Sequence, residues 1–151
     1  MAIENIKTAA GAKISISSAL PATKDKAGFE AVTGLELIGE VTDLGEVGGS
    51  FGEATHVPLS SRLVQRLKTS FDAGTVAVAV AIDKDDAGQI LARTKLMTDD
   101  NVTVKIELPT GHTIWFIGLI MSFPINIGSV DSIISSTLNL AINSEPLVDV
   151  A

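Results

Sequence analysis

Strict period-two alternation constrains this chain more than any other feature. Val76, Val78, Val80 and Ile82 alternate with Ala77, Ala79 and Ala81, and Val102, Val104, Ile106 and Leu108 alternate with Thr103, Lys105 and Glu107. Successive strand side chains point to opposite faces, so each run predicts a strand with one apolar face. Ile14, Ile16 and Leu20 oppose Lys13, Ser15 and Ser17 in the same way. Between Ile133 and Ile142, Leu138, Leu140 and Ile142 share one face, while Ser135, Thr137 and Asn139 share another that must meet solvent or a channel. Leu35 to Leu44 completes the longer strands. Pro109-Thr-Gly-His112 leads from the third run into Thr113 to Met121 and predicts a hairpin.

One helix is expected, from about Asp86 to Met97. Asp85 and Asp86 stand where a cap and the positive dipole end favour acids, and Arg93 and Lys95 stand near the other end. Ile90, Leu91, Thr94 and Met97 give it a packing stripe, although Gly88 weakens it. A second helical turn is expected over Ser60 to Leu67, with Leu63, Val64 and Leu67 on one side. Pro21 to Phe29 and Gly45 to Pro58 fit neither template, and the four glycines of the latter predict a long flexible loop. The expectation is a mainly β fold, a two-sheet β-sandwich or split barrel with one flanking helix and a glycine-rich loop, in one domain over residues 1–151.

Composition removes whole classes of function. The 151 residues include no cysteine and two histidines, so disulfides, thiolate metal sites and cysteine nucleophiles are out. Charged residues make up 19% against about 25% in ordinary domains, while mean hydropathy is +0.38, which points to surface hidden by partners. The net charge is −7, and no lysine or arginine lies between Ala27 and Ser61. Such a protein gains little by releasing counterions from phosphates, so tight nucleic-acid binding is disfavoured. Arg62, Arg66 and Lys68 read as an interface or a solvated face. Glu4 and Lys7 interrupt the N-terminus, so no secretory leader is expected, and Pro124 breaks the apolar run Ile114 to Ile127, which reads as a buried strand, not a membrane span.

Motifs that carry chemistry fail one by one. Asp83-Lys-Asp85-Asp86-Ala-Gly88 lacks a ligand at Ala87 and places Thr94 where a calcium loop needs a bidentate glutamate. Gly45-Glu-Val-Gly-Gly-Ser-Phe-Gly52 lacks the lysine of a phosphate loop, and Glu46 and Glu53 repel phosphate. No serine sits in a nucleophile elbow, and neither His56 nor His112 has an evident catalytic partner. Glu36 and Glu40, four apart on one strand face, read as a solvated acidic face before a glycosidase pair. Of the six aromatics, Trp115 and Phe116 lie within the most apolar strand and read as core, and too few others stand ready to form a stacking platform. No catalytic residue, cofactor or metal is expected.

With the residues read, a family resemblance follows across roughly residues 12–146. It is carried by Gly45-Glu-Val-Gly-Gly-Ser-Phe-Gly-Glu-Ala-Thr, by Phe71-Asp-Ala-Gly-Thr-Val-Ala-Val-Ala-Val, by Asp86-Ala-Gly-Gln-Ile-Leu, and by Ile106-Glu-Leu-Pro-Thr-Gly leading to Trp115-Phe. Ser132 to Pro146 adds a last strand and a closing proline signal. In this order the elements resemble the major tail tube proteins of long-tailed, siphovirus-like bacteriophages. Arg62, Arg66 and Lys68 depart from the more acidic and hydroxyl-rich segment common in that family.

The resemblance implies a virion protein of which six copies form a ring, the inner sheets joining into one ring-wide β-barrel. Rings then stack into a tube through which double-stranded DNA passes without specific binding. A barrel pooled from six subunits is far wider than the eight strands that side chains just fill. Glu36, Glu40, Asp43, Ser135, Thr137 and Asn139 are the expected lumen residues. Gly45, Glu46, Val47, Gly48, Gly49, Ser50, Phe51, Gly52 and Glu53 are the expected inter-ring loop, ordering on contact. Implied partners are the chain itself and tape-measure, tail terminator and tail-tip proteins, in the virion tail and in host cytoplasm during assembly, with no membrane. A tube subunit of a contractile injection or secretion machine is the alternative within this class. Outside it stand a monomeric sugar- or lipid-binding β-sandwich and, further off, a hydrolase.

Overall fold

A computed structural model describes residues 6–150. It is mainly β. The chain runs through β1 (Lys13–Ser17), α1 (Lys26–Glu30), β2 (Glu36–Ile38), β3 (Val41–Asp43), β4 (Ser50–His56), β5 (Gln65–Asp72), β6 (Thr75–Ala81), α2 (Ala87–Leu96), β7 (Val102–Glu107), β8 (His112–Ser122), β9 (Ile125–Asn126), β10 (Ser135–Ile142) and β11 (Leu147–Val150). One antiparallel sheet has the order β2-β1-β7-β8-β10-β6-β3, with β11 on β8 and β9 on β10; β4 and β5 pair only with each other.

The predicted alternation does what period two requires. Val76, Val78, Val80, Val102, Val104, Ile106, Leu138 and Leu140 are buried together with Ile14, Ile16 and Phe116. Each such side chain contributes about 1.5–3 kcal/mol of transfer free energy. The β7–β8 hairpin forms where expected, with the Leu108 N–H donating to the His112 carbonyl at 2.9 Å and Gly111 at φ 98°, a conformation that favours glycine.

The sheet's two ends are joined by only two residues. β2 pairs with β1 and β3 pairs with β6, yet Gly39 and Glu40 alone separate them, so the sheet must roll until its edges nearly meet. Residues 35–44, expected as one strand, are therefore two strands broken at Glu40, whose φ of 57° is left-handed. The break is held from α2. Both carboxylate oxygens of Asp86 accept from the Gly39 N–H at 3.1 Å, and one also accepts from the Gln89 N–H at 3.0 Å. The Gln89 amide donates to the carbonyls of Gly39 at 3.2 Å and Ala81 at 2.9 Å, and its oxygen accepts from the Asp83 N–H at 3.0 Å. Gly88 faces the Leu37 carbonyl so closely that a Cβ would collide with it.

Other expectations change with this geometry. The helix ends are as read, but its buried side is Gly88, Gln89 and Ala92, while Ile90 and Met97 are exposed, because the helix meets the backbone of β2 at Gly88. Ser17 is buried and Leu20 exposed, since β1 stops at Ser17 and the serine hydroxyl donates to the Thr33 carbonyl at 2.6 Å. Ser60 to Leu67 forms no helix; β5 begins at Gln65. Gly45 to Pro58 is not simply a loop, because Ser50–His56 is a strand.

A second helix, α1, also appears, capped by Asp25, whose carboxylate accepts from the Gly28 N–H and the Thr23 hydroxyl, both at 2.8 Å. The Gly28 bond first, then Thr23, holds that carboxyl below its ordinary value. The helix lays Phe29 on Trp115, with ring centroids 5.7 Å apart, in a small cluster with Ile117. Trp115 is thus core, but outside the barrel.

Gln89→Ala leaves two carbonyls and one N–H at the seam without their partner and should lower unfolding free energy by about 2–4 kcal/mol. Thr94→Ala, on the exposed side of the same helix, should change it by less than about 1 kcal/mol. Urea unfolding midpoints check both, and equal midpoints for the two variants would contradict this account of the seam.

Candidate functional site

Pairing across β3, β6 and β10 builds a distinctive outward face. The Ala81 N–H donates to the Glu40 carbonyl at 2.9 Å, and Ala81 lies opposite Ser135, giving the row Glu40–Ala81–Ser135. The next row is Asp43–Ala79–Thr137, and Ala77 lies opposite Asn139 beyond it. Asn139 donates to the Ser122 hydroxyl at 2.6 Å, Thr42 to the Ala79 carbonyl at 3.2 Å, and Asp43 accepts from the Gly45 N–H at 2.7 Å. The three strands carry no lysine or arginine. Alanines keep the face low, hydroxyls and amides keep it wet, and two carboxylates set its sign.

Five of the six expected lumen residues meet here. Glu36 does not: it lies opposite Ile16, beside Gly34, Ala87, Ile90 and Thr94 at the helix. The break at Glu40 also means that Glu36 and Glu40 do not share a strand face, which removes the glycosidase pairing. The sequence pattern contained the signal for the alanine rows in Ala77, Ala79 and Ala81, but not which strand would lie beside them.

A second feature is the arm formed by β4 and β5, exposed along its whole length. Phe51 pairs with Phe71 at 4.9 Å between centroids, Lys68 stands 4.7 Å over the Phe51 ring, and Arg66 pairs with Glu53 at 2.7 Å. Between the strands, Leu59 is 98% exposed and Leu63 65% exposed. The basic patch of Arg62, Arg66 and Lys68 therefore belongs to an arm lined with unpartnered apolar groups. The expected inter-ring loop divides in two: Gly45 to Gly49 is the arm's root, where Val47 packs on the core, and Ser50 to Glu53 lies in β4. At the root a Cβ on Gly49 would collide with the Asp72 carbonyl.

Among the described residues no group of three or more His, Cys, Asp or Glu is placed to hold a metal, and no helix is long and apolar enough to cross a membrane. Asp86 of the calcium-like run is the α2 cap, and His112 meets the Thr110 hydroxyl at 2.7 Å in the hairpin turn.

No protein-family model matches the chain. No curated protein matches its sequence. Solved structures match its fold. The anti-feeding prophage baseplate, a six-fold symmetrised cryo-EM structure, contains a chain with TM-score 0.70 and 9% identity, over 91% of each chain. The tail of an empty gene transfer agent particle, refined helically with C6 symmetry, gives 0.68 and 13% over 97% of this chain and 99% of that one. The SPP1 tail tube gives 0.64 and 14% over 93% and 77%. The chain has the fold of phage tail tube proteins.

Because the arm pairs only with itself, replacing Ser50 to Asp72 by a short Gly-Ser turn should leave the barrel folded, with a stability change of about 1 kcal/mol or less. Circular dichroism and thermal melting check this. Loss of the folded spectrum would show that the arm supports the barrel.

Proposed function

We propose that this chain is the structural subunit of a tail tube, six copies forming a ring and rings stacking into a hollow conduit for double-stranded DNA. The carrying observation is the cation-free face of β3, β6 and β10 on a tail-tube fold. Turned inward in each of six subunits, it makes a smooth wall of alanine, serine, threonine and asparagine with Glu40 and Asp43 facing the channel. Such a wall repels phosphates, so DNA slides without being held. Ring closure also leaves no sheet edge open to wrong partners.

In this role the protein is not an enzyme. It acts in the virion tail, after assembly in the host cytoplasm, and meets tape-measure, terminator and tail-tip proteins at the ends of the tube. The root and first half of the arm, Gly45 to Glu53, act between rings. The likeness to the anti-feeding prophage baseplate supports a second reading, the tube of a contractile injection machine carrying a protein cargo.

Concentrated protein should form six-membered rings and hollow tubes in negative stain, and a monomeric sedimentation profile at every concentration and salt would contradict the proposal. Tubes of Glu40→Lys/Asp43→Lys should assemble as the wild type does. They should retain short duplex DNA at low salt and lose at least about tenfold of that affinity between 50 and 200 mM salt, as counterion release requires. DNA retention equal to wild type would place these residues off the channel wall.

A further inference from the structure

We infer that the loop between β9 and β10, residues 127–134, is a lid that closes over a hollow beside α2 in the free subunit. The hollow has a volume of about 260 Å³ and is walled by Ile82, Ile90, Phe123 and Ile125, with Lys84 and Arg93 beside them. One water takes about 30 Å³ of the liquid, so the space has room for more than one branched aliphatic side chain. Its walls are held in place. Arg93 lies over the Phe123 ring at 4.5 Å, and the Ser136 hydroxyl donates to the Pro124 carbonyl, which fixes the segment that carries Phe123 and Ile125.

Both ends of the loop stand at the hollow. Ile125 lines it and lies opposite Ser136, while the Ile134 carbonyl accepts from the N–H of Ile82, another wall residue, at 3.0 Å. Between these roots Ile127, Val130 and Ile133 are 68%, 98% and 78% exposed. Among the described residues, the hydrogen bonds of 127–133 run only between Ser129 and Ser132: an N–H to a carbonyl at 3.0 Å and hydroxyl to hydroxyl at 3.0 Å. The tip is thus a tight turn that moves as one piece and that no such bond ties to the barrel. Gly128, at φ 69°, supplies a hinge at its first root.

Val130 is four residues from Ile134, a reach of about 13 Å of extended chain, comparable with the width of a helix. So short a tether holds the tip near the hollow at an effective concentration on the order of millimolar, and burial of its apolar side chains drives it in. Charge sets the orientation. Asp131 follows Val130, and Lys84 at the hollow has no ion-pair partner among the described residues, so closure brings opposite charges together. Asp83 lines the hollow too, but its carboxylate accepts from the Asp85 N–H at 3.0 Å. Closure is a property of the single chain and needs no ring. A partner that takes the open loop must first lift the lid, so its apparent affinity falls in proportion to the open fraction.

The chain has no cysteine, so paired cysteines report closure without background. Val130→Cys/Ile90→Cys joins the lid tip to the α2 wall of the hollow, and Val130→Cys/Met97→Cys, about 10 Å further along the same helix, is the control. In dilute protein equilibrated with oxidised and reduced glutathione, the first pair should form an intrachain disulfide with an effective concentration at least about tenfold above the control. Equal values for the two pairs, or disulfide-linked dimers in place of the intrachain bond, would overturn the proposal. Thermal melts of the reduced variants check that the fold is kept. The wild type gives an independent reading, in which methyl NOEs join Val130 to Ile82 or Ile90, and their absence from an assigned spectrum would equally overturn it.

Discussion

The structure depends on the seam where Gly39 and Glu40 carry the chain from one edge of the sheet to the other. A nine-stranded sheet left open would present two exposed edges, and the strands at those edges, β2 and β3, have three residues each. Their short pairings are weak alone. Asp86 and Gln89 supply what the strands lack, because a capping carboxylate and one side-chain amide satisfy the backbone groups that the break leaves over. Gly88 is what lets the helix come close enough to do so.

Closure then sorts the surface. One outward side, on β1, β7 and β8, is covered in part by α1 through the Phe29–Trp115 contact and carries Lys13 and Lys105. The other, on β3, β6 and β10, has no helix over it among the described residues and carries small residues and acids. The arm leaves the barrel beside this second face with its leucines and phenylalanines exposed. In an isolated monomer those exposed groups are a liability; in the stacked assembly proposed above they would become interface, which would account for the low charged fraction of the chain as well.

Much of the barrel was legible in the sequence because period two reports burial directly, as in Val76 to Ile82 and Val102 to Leu108. The helix ends were legible from Asp86 and from Arg93 and Lys95. The side of α2 that packs was not, since Gly88 and Gln89 gain their place from the backbone of β2, a partner fifty residues away in the case of Gly39 and Gln89. The arm escaped for a related reason: β4 and β5 bury neither face, so no alternation marks them, and glycines at Gly45, Gly48, Gly49 and Gly52 suggest a loop where three are close approaches at a hairpin root and strand. Leu20 misled because β1 ends on a buried serine whose hydroxyl is satisfied. Of the residues expected to line a channel, Ser135, Thr137 and Asn139 share one outward face by alternation alone, whereas separating Asp43 from Glu36 needed the pairing partners.

The claim at the centre is that the alanine-floored acidic face of β3, β6 and β10 is the channel wall. Helical cryo-EM reconstruction of assembled tubes measures it most directly. The account predicts Ala77, Ala79, Ala81, Thr137 and Asp43 facing an open axial channel in every subunit of a six-membered ring. A reconstruction in which that face is buried against a neighbour or lies on the outer surface, with Lys13 and Lys105 toward the axis, would contradict it.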